Sequence, residues 1–207
     1  MSIQLKSLMA AAVFCLVGQS AQAGLDASVG GGSPNAFYTL TPGGLTFATL
    51  SGGQTYTDSV TNVAAKPPGT SGLFLASGNG SGDGGPATLA FNSAVAYISF
   101  LWGSPDTYNH LTVTTTGGPH QFTSSDFFNV SNGNQGVSQY VQFQGTDGEL
   151  ILSLTFSNDN NTAAFETSNF NGPSAVPGPI VGAGLPGLVM ACGGLLLLAR
   201  RRRREAA

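Results

Sequence analysis

The stretch ELILSLTF, Glu149 to Phe156, decides the fold. Leu150, Leu152, Leu154 and Phe156 alternate with Glu149, Ser153 and Thr155. A period of two puts the first set on one face of a strand and the second on the other, as in a half-buried strand of an antiparallel sheet. The same reading extends outward along the chain. VAYISFLW (Val95 to Trp102) is apolar on both faces and predicts a central strand. AFYTL (Ala36 to Leu40) and LTFATL (Leu45 to Leu50) predict strands flanking the turn Pro42-Gly43-Gly44. ATLAF (Ala87 to Phe91), HLTVTT (His110 to Thr115), YVQFQ (Tyr140 to Gln144) and AAFETSNF (Ala163 to Phe170) complete the set.

Helix signals are nearly absent, because no ten-residue window repeats apolar residues at helical spacing free of Gly, Pro or β-branched runs. Only SSDFFNV (Ser124 to Val130) admits a helical turn. Short strands between Gly, Pro, Asn and Asp turns predict an all-β antiparallel β-sandwich of jelly-roll type, with roughly eight to ten strands. KPPGTSG (Lys66 to Gly72) is a loop, since paired prolines cannot sit in a central strand. SGNGSGDGGP (Ser77 to Pro86) reads as a hairpin loop, or as a cation site using Asp83.

The two ends differ from this middle. Residues 1–23 read as a signal peptide: Lys6 supplies the positive segment, Leu8 to Gly18 the apolar one, and Ala21-Gln22-Ala23 the small-x-small site cut by signal peptidase. Residues 176–207 begin with Val176-Pro177-Gly178-Pro179. Ile180 to Ala199 follows as 20 uncharged residues, enough to cross a bilayer core, though it holds five glycines and Pro186. Arg200, Arg201, Arg202, Arg203 and Arg204 then act as a stop-transfer signal that stays on the cytoplasmic side. The two prolines keep the Val176 to Ile180 segment extended, the form in which proteases take substrates.

Residues 24–175 form the expected ectodomain. Lys66 is its only cation, against Asp26, Asp58, Asp83, Asp106, Asp126, Asp147, Glu149, Asp159 and Glu166. A nucleic-acid or anionic-membrane role needs Lys and Arg to displace counterions, so both are excluded. Both cysteines, Cys15 and Cys192, lie in the end segments, so no disulfide holds the domain. About 150 residues bury enough apolar surface to fold without one.

No H-E-x-x-H, C-x-x-C or G-x-S-x-G motif occurs, and the histidines are His110 and His120 only. The expectation is a non-catalytic domain with no cofactor. Asp58, Asp83, Asp147 and Asp159 read as turn formers, although a glycoside hydrolase would need only two convergent carboxylates. A ligand reading centres on WGSPDTYNHL (Trp102 to Leu111), where Trp102, Asp106, Tyr108 and Asn109 stand close together. Aromatic faces beside Asp and Asn suit sugar recognition, an apolar wall with a few placed polar groups. The same residues also serve as core and turn.

With these residues in view, the Val176 to Arg204 segment resembles the PEP-CTERM sorting domain: a Pro-bounded motif, a Gly-rich apolar span, an arginine run. Gly178 stands where that family carries Glu. The resemblance implies recognition and removal of the segment by an exosortase, in Gram-negative cells that make exopolysaccharide and biofilm. It implies a precursor held transiently in the inner membrane, then a cell-surface or extracellular protein. AYISFLWGSPDTYNHLTV, with the Gly-rich loop and ATLAF before it, also looks like a group of exosortase-dependent surface proteins. Those often end in a segment like AFExDNF, and here Ser168 replaces the Asp. That second likeness implies an all-β fold and a surface location, and no activity.

Overall fold

The computed structural model describes residues 24–31, 37–78, 85–159 and 164–172. The signal peptide with Ala21 and Ala23, the 176–207 segment with its motif and arginines, and Asp83 all lie outside the described residues. So does most of the SGNGSGDGGP loop. The described residues up to Asn171 belong to one unit.

Among the described residues there are twelve strands: β1 (Gly24–Val29), β2 (Gly44–Leu45), β3 (Ala48–Ser51), β4 (Gln54–Tyr56), β5 (Phe74–Ser77), β6 (Ala87–Val95), β7 (Tyr97–Gly103), β8 (Asn109–Thr115), β9 (Gly118–Thr123), β10 (Ser138–Thr146), β11 (Ile151–Asn158) and β12 (Phe165–Asn171). They form two antiparallel six-stranded sheets, sandwich-like, ordered β1-β10-β7-β12-β5-β4 and β2-β3-β6-β11-β8-β9. The protein is all-β. The 3-10 turn Ser124–Asp126 lies inside the SSDFFNV segment that admitted it. Among the described residues no helix is long and apolar enough to cross a membrane.

VAYISFLW is central, as its two apolar faces require. Its strand, β7, lies between β10 and β12. Ile98, Phe100 and Trp102 point into the main core between the sheets. Leu101 is also buried, with Gly69 of the KPPGTSG loop close above it. That loop lies on the outer face of the first sheet and is tied down by β12. Asn169 Nδ2 donates to Gly69 O at 2.8 Å, Asn169 Oδ1 accepts from Ser71 N–H at 2.8 Å, and the Thr70 and Ser168 hydroxyls meet at 2.8 Å. A second small core, Phe74, Ala76, Ala64 and Ala164 with Tyr56 and Val63 against it, lies beside it on that outer face. The first sheet is therefore covered on both sides around β12, which is buried along its whole length.

ELILSLTF forms β11 but departs from strict alternation. Leu154 and Phe156 face the core as expected, whereas Leu152 is 39% exposed and Ile151 is fully buried. The register shifts between Ile151 and Ser153 against both neighbours, β6 and β8. One extra residue in a bulge reverses the inward set on its far side. Leu154→Ala is thus expected to cost about 2–5 kcal/mol, and Leu152→Ala no more than about 0.5 kcal/mol, read from urea unfolding midpoints. Equal losses would contradict the bulge. Glu149 is another departure: it is buried rather than facing solvent.

AFYTL does not form a strand in its described residues, 37–40. Tyr38 N–H reaches Phe170 O at 2.9 Å, but Thr41 and Gly44 at once exchange bonds across the Pro42-Gly43 turn, so no ladder extends. LTFATL is split, with Leu45 in β2 and residues 48–50 in β3, by a turn at Thr46-Phe47. Asp147 and Gly148 link β10 to β11 with φ of 52° and 89°, and Glu149 N–H donates to Thr146 O at 2.9 Å. Positive φ at both central residues is the hairpin turn that Asp-Gly favours, in keeping with Asp147 as a turn former.

Candidate functional site

The segment from Trp102 to Asn109 divides by side-chain direction. Trp102, at the end of β7, is fully buried; its ring stacks on Phe165 at 4.3 Å, with Phe128 at 5.6 Å and Phe127 at 5.9 Å. No face of the indole is open to a ligand. Asn109 is also fully buried. Its Oδ1 accepts from Asp106 N–H at 2.8 Å and its own N–H donates to Asp106 O at 3.0 Å. It closes the turn and does not reach a ligand. Asp106 and Tyr108 point the other way and line a cleft of about 730 Å³. Of the four candidates, the structure brings these two together in an open site.

The cleft sits on the outer side of the first sheet. Its walls come from residues 59–65, from the β7–β8 loop, from the loop before β10, and from the start of β12. Ser104 turns the chain out of β7 with φ of 46°. Such a conformation is uncommon for a residue with a Cβ, and it marks a position held by its surroundings. Ser104 N–H donates to Val137 O at 3.0 Å, and Ser124 Oγ donates to Asp106 O at 2.6 Å. The Asp106 carboxylate lies over Gly133, where a Cβ would come within 2.6 Å of Oδ1 and where φ is 68°. Only glycine suits that position, on both counts. Tyr108 donates its hydroxyl to Asp106 Oδ2 at 2.5 Å.

Glu166, on β12, completes the cleft, and sequence reasoning assigned it no role. It is 4% exposed. Ala65 N–H donates to its Oε1 at 3.0 Å, while Oε2 has no hydrogen-bond partner among the described residues. Burial pushes this carboxyl up to about 8; the Ala65 bond opposes the rise and the Asp106 charge adds to it. Burial, and then the bond and charge of Asp106, hold the Tyr108 hydroxyl well above its ordinary value. The cleft therefore presents an ionisable acid beside a second carboxylate and a phenol. It can donate through a protonated Glu166 and accept through Asp106. Its other walls include Ser59, Thr61, Asn62, Asn132 and Gln135, and no Lys, Arg or His is among the lining residues described. The detectable signal is position: Asp58, Asp147 and Asp159 stand at turns or loop ends, whereas Glu166 directly follows Phe165 near the start of a strand.

A second buried acid lies elsewhere. Glu149 Oε1 accepts from the Thr115 hydroxyl and lies 3.0 Å from His120 Nε2. The Thr115 bond, against the cost of burial and with help from His120, holds its carboxyl below the usual carboxylate range. A lowered value means that stability is present above that range and lost as pH falls through it. Glu149→Gln is expected to flatten the acid limb of a stability–pH curve. An unchanged limb would show that the contact carries no pH dependence. Among the described residues no three His, Cys, Asp or Glu side chains gather as a metal site.

The fold and the cleft define an all-β sandwich with a polar, acid-lined site. No family model matches the chain, and neither a curated protein nor a solved structure matches it.

Proposed function

We propose that the chain is a non-catalytic, exported surface or extracellular-matrix protein whose sandwich holds a saccharide in the Asp106–Tyr108–Glu166 cleft. The observation that carries the ligand reading is the buried, unpaired Oε2 of Glu166 in that cleft. A buried polar atom without a partner calls for one, and a hydroxyl-rich ligand supplies it. The volume falls in the range of small-ligand sites. The polar walls suit hydroxyls better than an apolar molecule, and Tyr108 is the one aromatic side chain lining them.

The strand order supports the jelly-roll form. From β5 to β12, one sheet runs β5-β12-β7-β10 and the other β6-β11-β8-β9. This is the arrangement of two interleaved Greek keys, a fold that lectin domains also use. The fold alone assigns no function, so the cleft carries the ligand reading. Export and sorting rest on the end segments: signal peptidase acting after Ala23, an exosortase acting near Val176-Pro177-Gly178-Pro179, and contact of residues 180–199 with the inner membrane before release. The association is with extracellular polysaccharide of a Gram-negative cell.

Affinity electrophoresis in gels cast with exopolysaccharide tests the cleft. Wild type is expected to be retarded and folded Tyr108→Ala much less so; equal retardation would remove the site. For sorting, mass spectrometry of mature protein from the native host is expected to find the arginine run gone. A C-terminus intact through Arg204 would overturn it. A second reading, an extracellular polysaccharide hydrolase, is favoured by Asp106 and Glu166 sharing one cleft, the minimum a glycosidase needs. Release of reducing ends that Glu166→Gln abolishes would install it in place of the binding reading.

A further inference from the structure

The charge of the cleft narrows its ligand. Its two ionisable carboxyls are close enough for the charge of Asp106 to raise the proton affinity of Glu166. Nothing cationic lines the walls among the described residues. Two independent buried atoms are left unsatisfied there: Glu166 Oε2, in a side chain 4% exposed, and Ser104 Oγ, in one 5% exposed. Two of the other three carboxylate oxygens are already engaged. Ala65 N–H takes Glu166 Oε1, and the Tyr108 hydroxyl takes Asp106 Oδ2. What the site lacks is a compact donor with a positive charge.

Resting on the saccharide reading above, we infer that the cleft takes an amino sugar with a free amine, its ammonium placed between Asp106 and Glu166. An ammonium carries three donors and no acceptor. Its donors suit the acceptors that Glu166, Asp106 and Ser104 bring to the lining of the cleft. Hydrogen bonds with an ionised donor or acceptor are about twice as strong as neutral ones. A neutral hydroxyl would satisfy Glu166 Oε2 but bring no charge to offset that of Asp106. A uronate or sulfated sugar would bring a third negative charge into a site with no cation to meet it, and burying unpaired charge is costly. The ring hydroxyls then fall to the amide and hydroxyl walls at Asn62, Asn132 and Gln135. Near neutral pH the empty site holds Glu166 protonated, and an arriving ammonium favours the ionised form. Binding therefore releases a proton to solvent.

The experiment is calorimetry on the full chain with four probes of matched length: a glucosamine oligomer, its N-acetylated form, a uronate oligomer and a linear diamine. Wild type, Glu166→Gln and Asp106→Asn are compared at about pH 6, where the amine is charged and Glu166 is still protonated. Both substitutions keep side-chain shape and the Ala65 or Tyr108 bond, and thermal melts check folding for each. The glucosamine oligomer is expected to bind wild type at least about tenfold tighter than the acetylated one, the worth of one charge-assisted bond. The uronate should be weakest, and the diamine should fall well short of the sugar. Either variant should bring the amine down to the level of the acetylated oligomer. Titration in two buffers of different ionisation heat should show proton release with wild type and none with Glu166→Gln. Acetylated or uronate oligomers binding as tightly as the amine would overturn this inference and leave the saccharide reading standing. An amine preference that survives in both variants would overturn it too, as would a diamine as good as the sugar. If no saccharide binds, both readings fall together.

Discussion

Trp102→Ala is expected to cost about 3–5 kcal/mol, the range for removing a large buried aromatic. The indole is fully buried and packs against Phe127, Phe128 and Phe165. These belong to three different elements: β7 carries the indole, β12 carries Phe165, and the two phenylalanines follow the 3-10 turn. One truncation therefore opens a void where two strands of the first sheet and the turn meet. A typical domain is stable by only about 5–15 kcal/mol, so the variant should sit near the edge of folding. Urea unfolding at fixed pH measures it, with Trp102→Phe as the milder companion that keeps most of the packing. The effect should appear as lost stability in the absence of any saccharide. If Trp102→Ala is as stable as wild type and merely binds less, the indole is not where the core requires it.

Glu166→Gln is expected to act in the opposite direction. The carboxyl has an ordinary value of 4.5 and is raised to about 8 in the folded protein. Below about 4.5 both states hold the proton and Glu166 contributes no pH dependence. As pH rises above that, the unfolded chain ionises while the folded one stays protonated, so relative stability falls until about pH 8 and then levels off. Three or so pKa steps at 1.36 kcal/mol each put the loss on the order of 3–5 kcal/mol before relaxation, which reduces it. Glutamine keeps the acceptor for Ala65 N–H and cannot ionise. The variant should match wild type near pH 4, exceed its stability at pH 8, and show a flatter curve between. A wild-type curve without this decline would mean that a cation or solvent reaches Oε2 in the free protein.

Much of the fold can be read from residue order because the sheets bury their faces unequally. VAYISFLW has no polar face, and a strand of that kind must be covered twice; the main core and the KPPGTSG loop cover it. The bulge in β11 is not legible, since Leu150, Ile151 and Leu152 are all apolar and any of them could point inward. Only the register with β6 and β8 decides among them. AFYTL has strand composition, but in its described residues, 37–40, the Tyr38 bond to Phe170 does not grow into a ladder before the Pro42-Gly43 turn closes. Short β4 and β5 are too brief to show a period. In the site, Trp102 and Asn109 are as much core and turn as their residue types allow, while Asp106 and Tyr108 come from the exposed side of the same turn. Glu166 escapes because its burial is not local. The loop that covers it arrives from 101 residues earlier, through Ala65. Nothing within the AAFETSNF strand announces that cover.

On the proposed reading, the Asp106–Tyr108–Glu166 cleft is where this sandwich meets sugar. A structure of the full chain soaked with a glucosamine oligomer tests it most directly. The sugar should lie in the cleft with its amine between the two carboxylates and its ring beside Tyr108. A sugar bound on any other face, or an empty cleft at a concentration that saturates binding in solution, would contradict the account.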